Sequence, residues 1–188
     1  VYAAKGIPKH IIEAHIKNQF HIFYDKYKKY LSANQSFSLW GIPMNITFKV
    51  GNPYYHVQSS TIEIQHETLE KGIKYVLEEE MKTYLSQHEH IIVAHLKNND
   101  IQSRKYRLKY YKSKFGAYHK IHDVIYLNIF LATQSQDYVW YVLMHEYAHT
   151  KHFHHQKSFY NFLDQLHPNY KDIEKSLKSL VIPTYFHV

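Results

Sequence analysis

The chain contains no cysteine, which excludes disulfides and thiolate metal sites and leaves imidazole and carboxylate as the only strong ligand types. It also lacks a long apolar run: the longest, YVWYVLM and IIVA, fall far short of the roughly 20 residues a bilayer-spanning helix needs. The N-terminal VYAAKGIPKH has no apolar signal-peptide core. These absences argue against a membrane partner and make the cytoplasm the expected compartment. Internal repeats, low-complexity tracts and linkers are missing too, so the 188 residues are read as one domain, with 45% apolar residues to build its core. Acidic residues are the scarcer charge, 16 against 23 Lys and Arg. The resulting +7 favours anionic partners, nucleotides and nucleic acid among them, but says nothing about fold.

What is present alternates helical and extended patterns. Ile12, Ile16, Phe20, Phe23, Tyr27 and Leu31 recur at helical spacing, predicting an amphipathic helix from Pro8 to about Leu31. Residues 36–65 hold short β-branched and aromatic runs, FSLWGI, NITFKV, YYHVQS and TIEI, punctuated by Gly, Pro, Asn and Ser, and read as a β-meander. Leu69, Ile73, Val76, Leu77, Met81, Tyr84 and Leu85 restore the helical period, with IIVAHL either extending that helix or packing separately. IQSRKYRLKYY and DVIYLNI come next as strands. In TQSQ, Thr133 and Gln136 have the spacing of a capping box at the start of the next helix. QKSFYNFLDQL and YKDIEKSLKSL supply two more helices, and the order helix, sheet, helix, strands, helices is that of an α+β unit.

The helix opened by TQSQ carries HEYAHTKHFHH, residues 145–155, five histidines and one glutamate in eleven positions. His145 and His149 are four apart, so both imidazoles leave one face of a helix and can hold one ion, with Glu146 beside them. That pattern suits hydrolysis: zinc with three protein ligands activates water while the carboxylate takes its proton. With 17 His and 10 Glu in the chain, random placement yields roughly 0.08 such patterns, so the pair needs a third ligand. His152, His154 and His155 are the candidates. The ten-residue span from His145 to His155 matches the three-histidine spacing of metzincins, but His152 stands where their glycine belongs. No methionine comes after the motif either: Met44, Met81 and Met144 are all upstream.

YVLMHEYAHTKHFHHQKSFY, with IYLNIFL before it, instead resembles the YgjP-like family of metal-dependent hydrolases, related to SprT-like and minigluzincin-type zincins. Leu127, Asn128 and Leu131 match the family's strand end, and Tyr141, Val142, His145, Glu146 and His149 match its helix. His155, Phe159 and Tyr160 match the family's third histidine and the aromatic pair beyond it. LWGIPMNI fits its short glycine-containing strand. The resemblance implies a zincin-like fold, a small sheet packed on helices, with residues 1–98 supplying helix, meander and helix and 99–188 the metal-binding core. It implies Zn2+ or another divalent transition metal on His145, His149 and His155, with Glu146 as general base, and places the strand DVIYLNI beside the cleft, where an extended substrate could pair with its edge. Two positions depart from the pattern. Phe115, Gly116, Ala117 and Tyr118 stand where the family has Trp-Gly-Ser-Cys, and Tyr147 replaces a leucine, either to pack or to reach the pocket.

Three functions fit. The leading expectation is a zinc-dependent hydrolase of the metallopeptidase type, attacking a peptide or another polar bond. The second is a nucleotide pyrophosphatase using the same metal, with the run Arg104, Lys105, Arg107, Lys109, Lys112 and Lys114 as a phosphate-binding surface beside it; the plainer account of that run is a solvated strand face. The third is a non-catalytic, basic nucleic-acid-binding module whose metal is structural and fully ligated by protein. His152 and His154 are read as exposed histidines or as supports for the ligands.

Overall fold

A computed structural model describes residues 37–183; the helix expected over Pro8–Leu31 lies outside the described residues. The described chain begins with a tight hairpin. Trp40 and Gly41, at φ 53° and 79°, turn β1 (Ser38–Leu39) back on β2 (Ile42–Pro43). Trp40 is pinned in this unfavoured conformation: its amide donates to the Ala132 carbonyl at 2.7 Å and its indole to Glu80 at 2.8 Å.

β3 (Asn45–Val50), β4 (Tyr54–Gln58) and β5 (Thr61–His66) form a sheet in the order β3-β5-β4, with β3 parallel and β4 antiparallel to β5. The segment is therefore not a meander. Residues 51–53 carry the chain over the end of β5, so β3 and β4 are never neighbours. The physical reason lies in β5, whose Ile62 and Ile64 are fully buried, whereas β3 and β4 are mostly exposed; the strand with two core residues takes the centre. These isoleucines pack under α1 (Leu69–Asn98), whose first turn is capped by the Thr68 hydroxyl accepting from the Lys71 amide at 3.3 Å. IIVAHL continues this helix, burying Ile92 and Leu96.

A second sheet repeats the arrangement. β6 (Lys105–Lys109), β7 (Gly116–His119) and β8 (Val124–Asn128) are ordered β6-β8-β7, with β6 parallel and β7 antiparallel to β8. Asn128 locks the crossover between β6 and β7: its side-chain amide donates to the carbonyls of Tyr111 and Lys114, each at 2.8 Å, and its own N–H to Phe115 at 2.8 Å. Because β8 is paired on both sides, it has no free edge to offer a substrate. That expectation is corrected: among the described residues the edge strands of this sheet are β6 and β7, and β7 is the one beside Glu146.

A 3-10 turn (Ile129–Thr133) leads into α2 (Gln136–Lys151). The cap is Ser135, whose hydroxyl accepts from the Asp137 amide at 3.4 Å, not the expected Thr133–Gln136 box. Thr133 is still inside the 3-10 turn, where its hydroxyl donates back to the Phe130 carbonyl at 2.8 Å. α2 packs against β7 and β8 on one side and against α3 (Lys157–Leu166) and α4 (Tyr170–Ser179) on the other, and Val139, Leu143, Met144 and Ala148 are wholly buried. The architecture is α+β, small sheets packed on helices. Among the described residues no helix is long and apolar enough to cross a membrane.

Candidate metal centre

His145 and His149 stand one turn apart on α2. The helix stops at His152, which is extended (φ −128°), and the chain turns back toward α3, bringing His155 to the other two. One nitrogen from each of the three rings lies within 4.8 Å of the others. Ring centroids are 5.0 Å apart for His145 and His149, 5.1 Å for His145 and His155, and 4.7 Å for His149 and His155. Phe159 of α3, fully buried, touches all three rings at centroid distances of 5.0, 4.6 and 4.6 Å. It is the common surface on which the imidazoles rest.

The hydrogen bonds show which nitrogens are available. His149 Nδ1 lies 3.2 Å from the His152 carbonyl; a carbonyl only accepts, so Nδ1 carries the proton and Nε2 keeps a bare lone pair. His145 Nδ1 is 3.4 Å from the hydroxyl of Tyr141, one turn earlier on α2 and buried. On the opposite sides of their rings, His145 Nε2 and His155 Nε2 face each other at 3.0 Å. Burial, then the neighbouring His149 and His155, push His145 down to about 3, and burial lowers His149 as well. Burial thus favours the neutral form of His145 and of His149, and His155 Nε2 completes the group. Three imidazole nitrogens without thiolate form a donor set that suits zinc or a similar divalent ion.

Glu146, next to His145 on α2, reaches toward β7, lines one cavity with His145 and is 6% exposed. Burial pushes its carboxyl up to about 7, opposed by a hydrogen bond from the Tyr118 N–H and by the charge of Lys114. The Tyr118 amide donates to Glu146 Oε2 at 2.7 Å. Phe115 addresses β8 through its carbonyl, so by strand alternation Gly116 and Tyr118 turn their backbone groups to the free edge. Gly116 has a steric requirement: a Cβ there would lie 2.8 Å from Glu146 Oε1 and Val142 Cγ1 and 2.9 Å from Glu146 Cγ. Beside this contact, between β7, α2 and α4, a cavity of about 240 Å³ opens.

Other expectations fall away from the site. Tyr147 packs: it is fully buried, its hydroxyl accepting from the Arg104 amide at 3.0 Å and sharing a 2.6 Å hydrogen bond with Tyr106. Tyr106 thus faces α2, and Lys105, Arg107 and Lys109, exposed on the opposite face of the sheet, do not form a phosphate surface beside the three histidines. Arg104 is paired with Asp123 at 2.6 Å, and Lys114 is the one member of the run that lines the cavity. The His152 ring packs against Phe162 at 5.5 Å while its carbonyl orients His149; His154 is exposed.

A family model described as YgjP-like, metallopeptidase domain, matches residues 7–180. The chain belongs to the YgjP-like metallopeptidase family. This YgjP-like protein is accordingly a metal-dependent hydrolase. It is similar to the metallopeptidase zymogen of Pyrococcus abyssi abylysin, with 21% identity, a TM-score of 0.43 and a match covering 48% of this chain and 91% of that one. It is also similar to the zymogen of Methanocaldococcus jannaschii jannalysin, with 22% identity, a TM-score of 0.40, and coverage of 48% and 90%. No curated relative matches it.

Sequence reasoning missed β7 and the two backbone features it brings to Glu146. The available signal was Gly116, one of only five glycines in the YgjP-like chain. The α4 wall of the cavity had no sequence signal, since nothing local in YKDIEKSLKSL tells which helix it covers.

Proposed function

We propose that the protein is a zinc-dependent peptidase in which His145, His149 and His155 hold the ion and Glu146 is the general base. The observation that carries this is the convergence of three imidazoles on one point, with a buried carboxylate on the helix that bears two of them. A zinc ion held there supplies Lewis acidity and brings the pKa of water toward 7. The chain's own residues do the rest. The His152 carbonyl fixes the tautomer of His149 by accepting its Nδ1 proton, which leaves Nε2 free, and the Tyr141 hydroxyl orients the His145 ring from its Nδ1 side. Glu146, whose affinity for a proton is raised by burial, takes one from the attacking water and gives it to the leaving amine. Tyr118 N–H keeps the carboxylate in place, and the free edge of β7 offers backbone groups to an extended peptide.

Among the described residues only these three side chains gather as ligands, which supports an ion with an open position rather than a structural one closed by protein. The pyrophosphatase reading loses its support, because the basic strand faces away. The test is a panel of peptides and nucleoside triphosphates with the zinc-loaded protein, with and without chelator. Peptide cleavage abolished by chelation is expected; triphosphate hydrolysis alone would reject the reading.

A further inference from the structure

The outer face of the second sheet takes no part in the chemistry proposed above. Tyr106 turns toward α2, so the alternate residues of β6, Lys105, Arg107 and Lys109, share the opposite face, and all three are exposed. Among the described residues none of the three pairs with a carboxylate. The residues that β8 and β7 place on that face, Val124, Tyr126, Asn128, Ala117 and His119, include no acid. Three uncompensated cations in line, about 6.6 Å apart along a strand, suit an anionic chain rather than a single anion.

The rings among these cations decide which chain. Tyr126 is half-buried, in register between Arg107 and Ala117, and Ala117 is too small to cover the ring from the β7 side. Tyr111 meets Tyr126 edge-on, with centroids 6.5 Å apart at 76°, and Lys109 Nζ lies 5.5 Å over the Tyr111 ring. An acidic peptide would satisfy the cations and leave Tyr126 without a partner, whereas a nucleic acid brings phosphates to the cations and a base to the ring. A duplex keeps its bases stacked on one another, and a broad sheet face does not enter a groove as a helix or a two-stranded ribbon does. We propose that this face binds single-stranded nucleic acid, with phosphates on Lys105, Arg107 and Lys109 and one base stacked on Tyr126. The face looks away from α2, so a bound strand leaves the metal centre open, and the assignment does not depend on the peptidase reading.

The test is fluorescence anisotropy of the full chain with labelled oligothymidylate and oligouridylate of about 16 nucleotides, over a range of salt concentrations. Binding should weaken with salt at a log–log slope of about −2, the value for three phosphates on a single strand. Arg107→Ala should reduce that slope by about 0.7, and Lys105→Ala, Arg107→Ala and Lys109→Ala combined should abolish binding. Tyr126→Ala should weaken binding about tenfold with the slope unchanged, and Tyr126→Phe should bind as the parent does. Zinc content and Tm report that each variant is folded; if Tyr126→Ala is not, the exposed cation variants still decide. No binding, or binding that the cation variants leave intact, overturns the proposal. Poly-L-glutamate competing as well as the oligonucleotide overturns it in favour of an acidic peptide, and a duplex binding as tightly as the single strand overturns it too.

Discussion

In both three-stranded sheets the first strand runs parallel to the third, the third takes the centre, and helical structure comes next: β3-β5-β4 leads to α1, and β6-β8-β7 leads to the 3-10 turn and α2. Each sheet meets its helix through a glycine. In the first, Gly72 of α1 lies against β5, where a Cβ would come within 2.5 Å of Ile64 Cγ2. In the second, the glycine is on the strand, and the helix residue it admits is Glu146. The first contact is carbon on carbon and serves only burial. The second brings a carboxylate into an apolar site and holds it with a backbone amide, at a cost in stability that a purely structural contact would avoid. The outward faces differ as well. Lys49 is matched by Glu63 at 3.0 Å on the first sheet, while Lys105, Arg107 and Lys109 of the second have no acidic residue in register on β8. One topology therefore holds an apolar contact in one half and a buried carboxylate in the other, and the difference lies in which side chain each close contact admits.

The largest effect should come from Glu146→Gln, which keeps shape and removes the base. Peptide turnover should fall by about 10²–10⁴-fold with zinc still bound; full turnover in a zinc-loaded variant would show that the carboxylate is not the base. Next comes a matched pair of glycine substitutions. Gly116→Ala should displace Glu146 and cost about 10–100-fold in turnover, and Gly72→Ala should cost about 1–3 kcal/mol of stability with turnover per folded molecule unchanged. If both act only on Tm, the contrast between the sheets is wrong. Tyr141→Phe should weaken zinc about tenfold in a chelator competition while leaving the metal-free Tm near that of the parent.

The smallest effect is a pH dependence of the metal-free protein. Glu146 titrates near 7 in the fold rather than near 4.5. Between those values the folded chain holds a proton that the unfolded chain has released, so this group's contribution to stability falls as pH rises through that window. Glu146→Gln removes the penalty, and the variant should exceed the parent by up to about 3 kcal/mol at pH 8 and match it near pH 4. His145 acts with the opposite sign. Its folded value of about 3 lies below the ordinary 6.5, so the unfolded chain binds more protons between them and stability drops as pH falls below about 6.5. Thermal melts of both proteins from pH 4 to 8 would reveal either slope.

Much of the molecule is legible in its sequence. The helical periods of α1 and α2, the apolar run of β8 and the grouping of His145, Glu146, His149 and His155 are local patterns, and local patterns survive folding. Strand order does not show in such patterns: β3, β4 and β5 look alike in sequence, and only the depth of Ile62 and Ile64 puts β5 in the middle. GAYH is too short and too mixed to alternate visibly, so β7 escapes a reading by periodicity and its edge is credited to β8. Tyr147 illustrates a further limit, since its neighbours in space, Arg104 and Tyr106, are some forty residues away.

His155 belongs to the short return between α2 and α3, not to either helix. An ion held as proposed, by it and by α2, would therefore be a clasp as well as a reagent, fastening that return to the helix that bears Glu146. Chelation should consequently do more than stop the reaction. It should make the 152–156 backbone exchange its amide hydrogens faster, while β5 and α1 keep theirs.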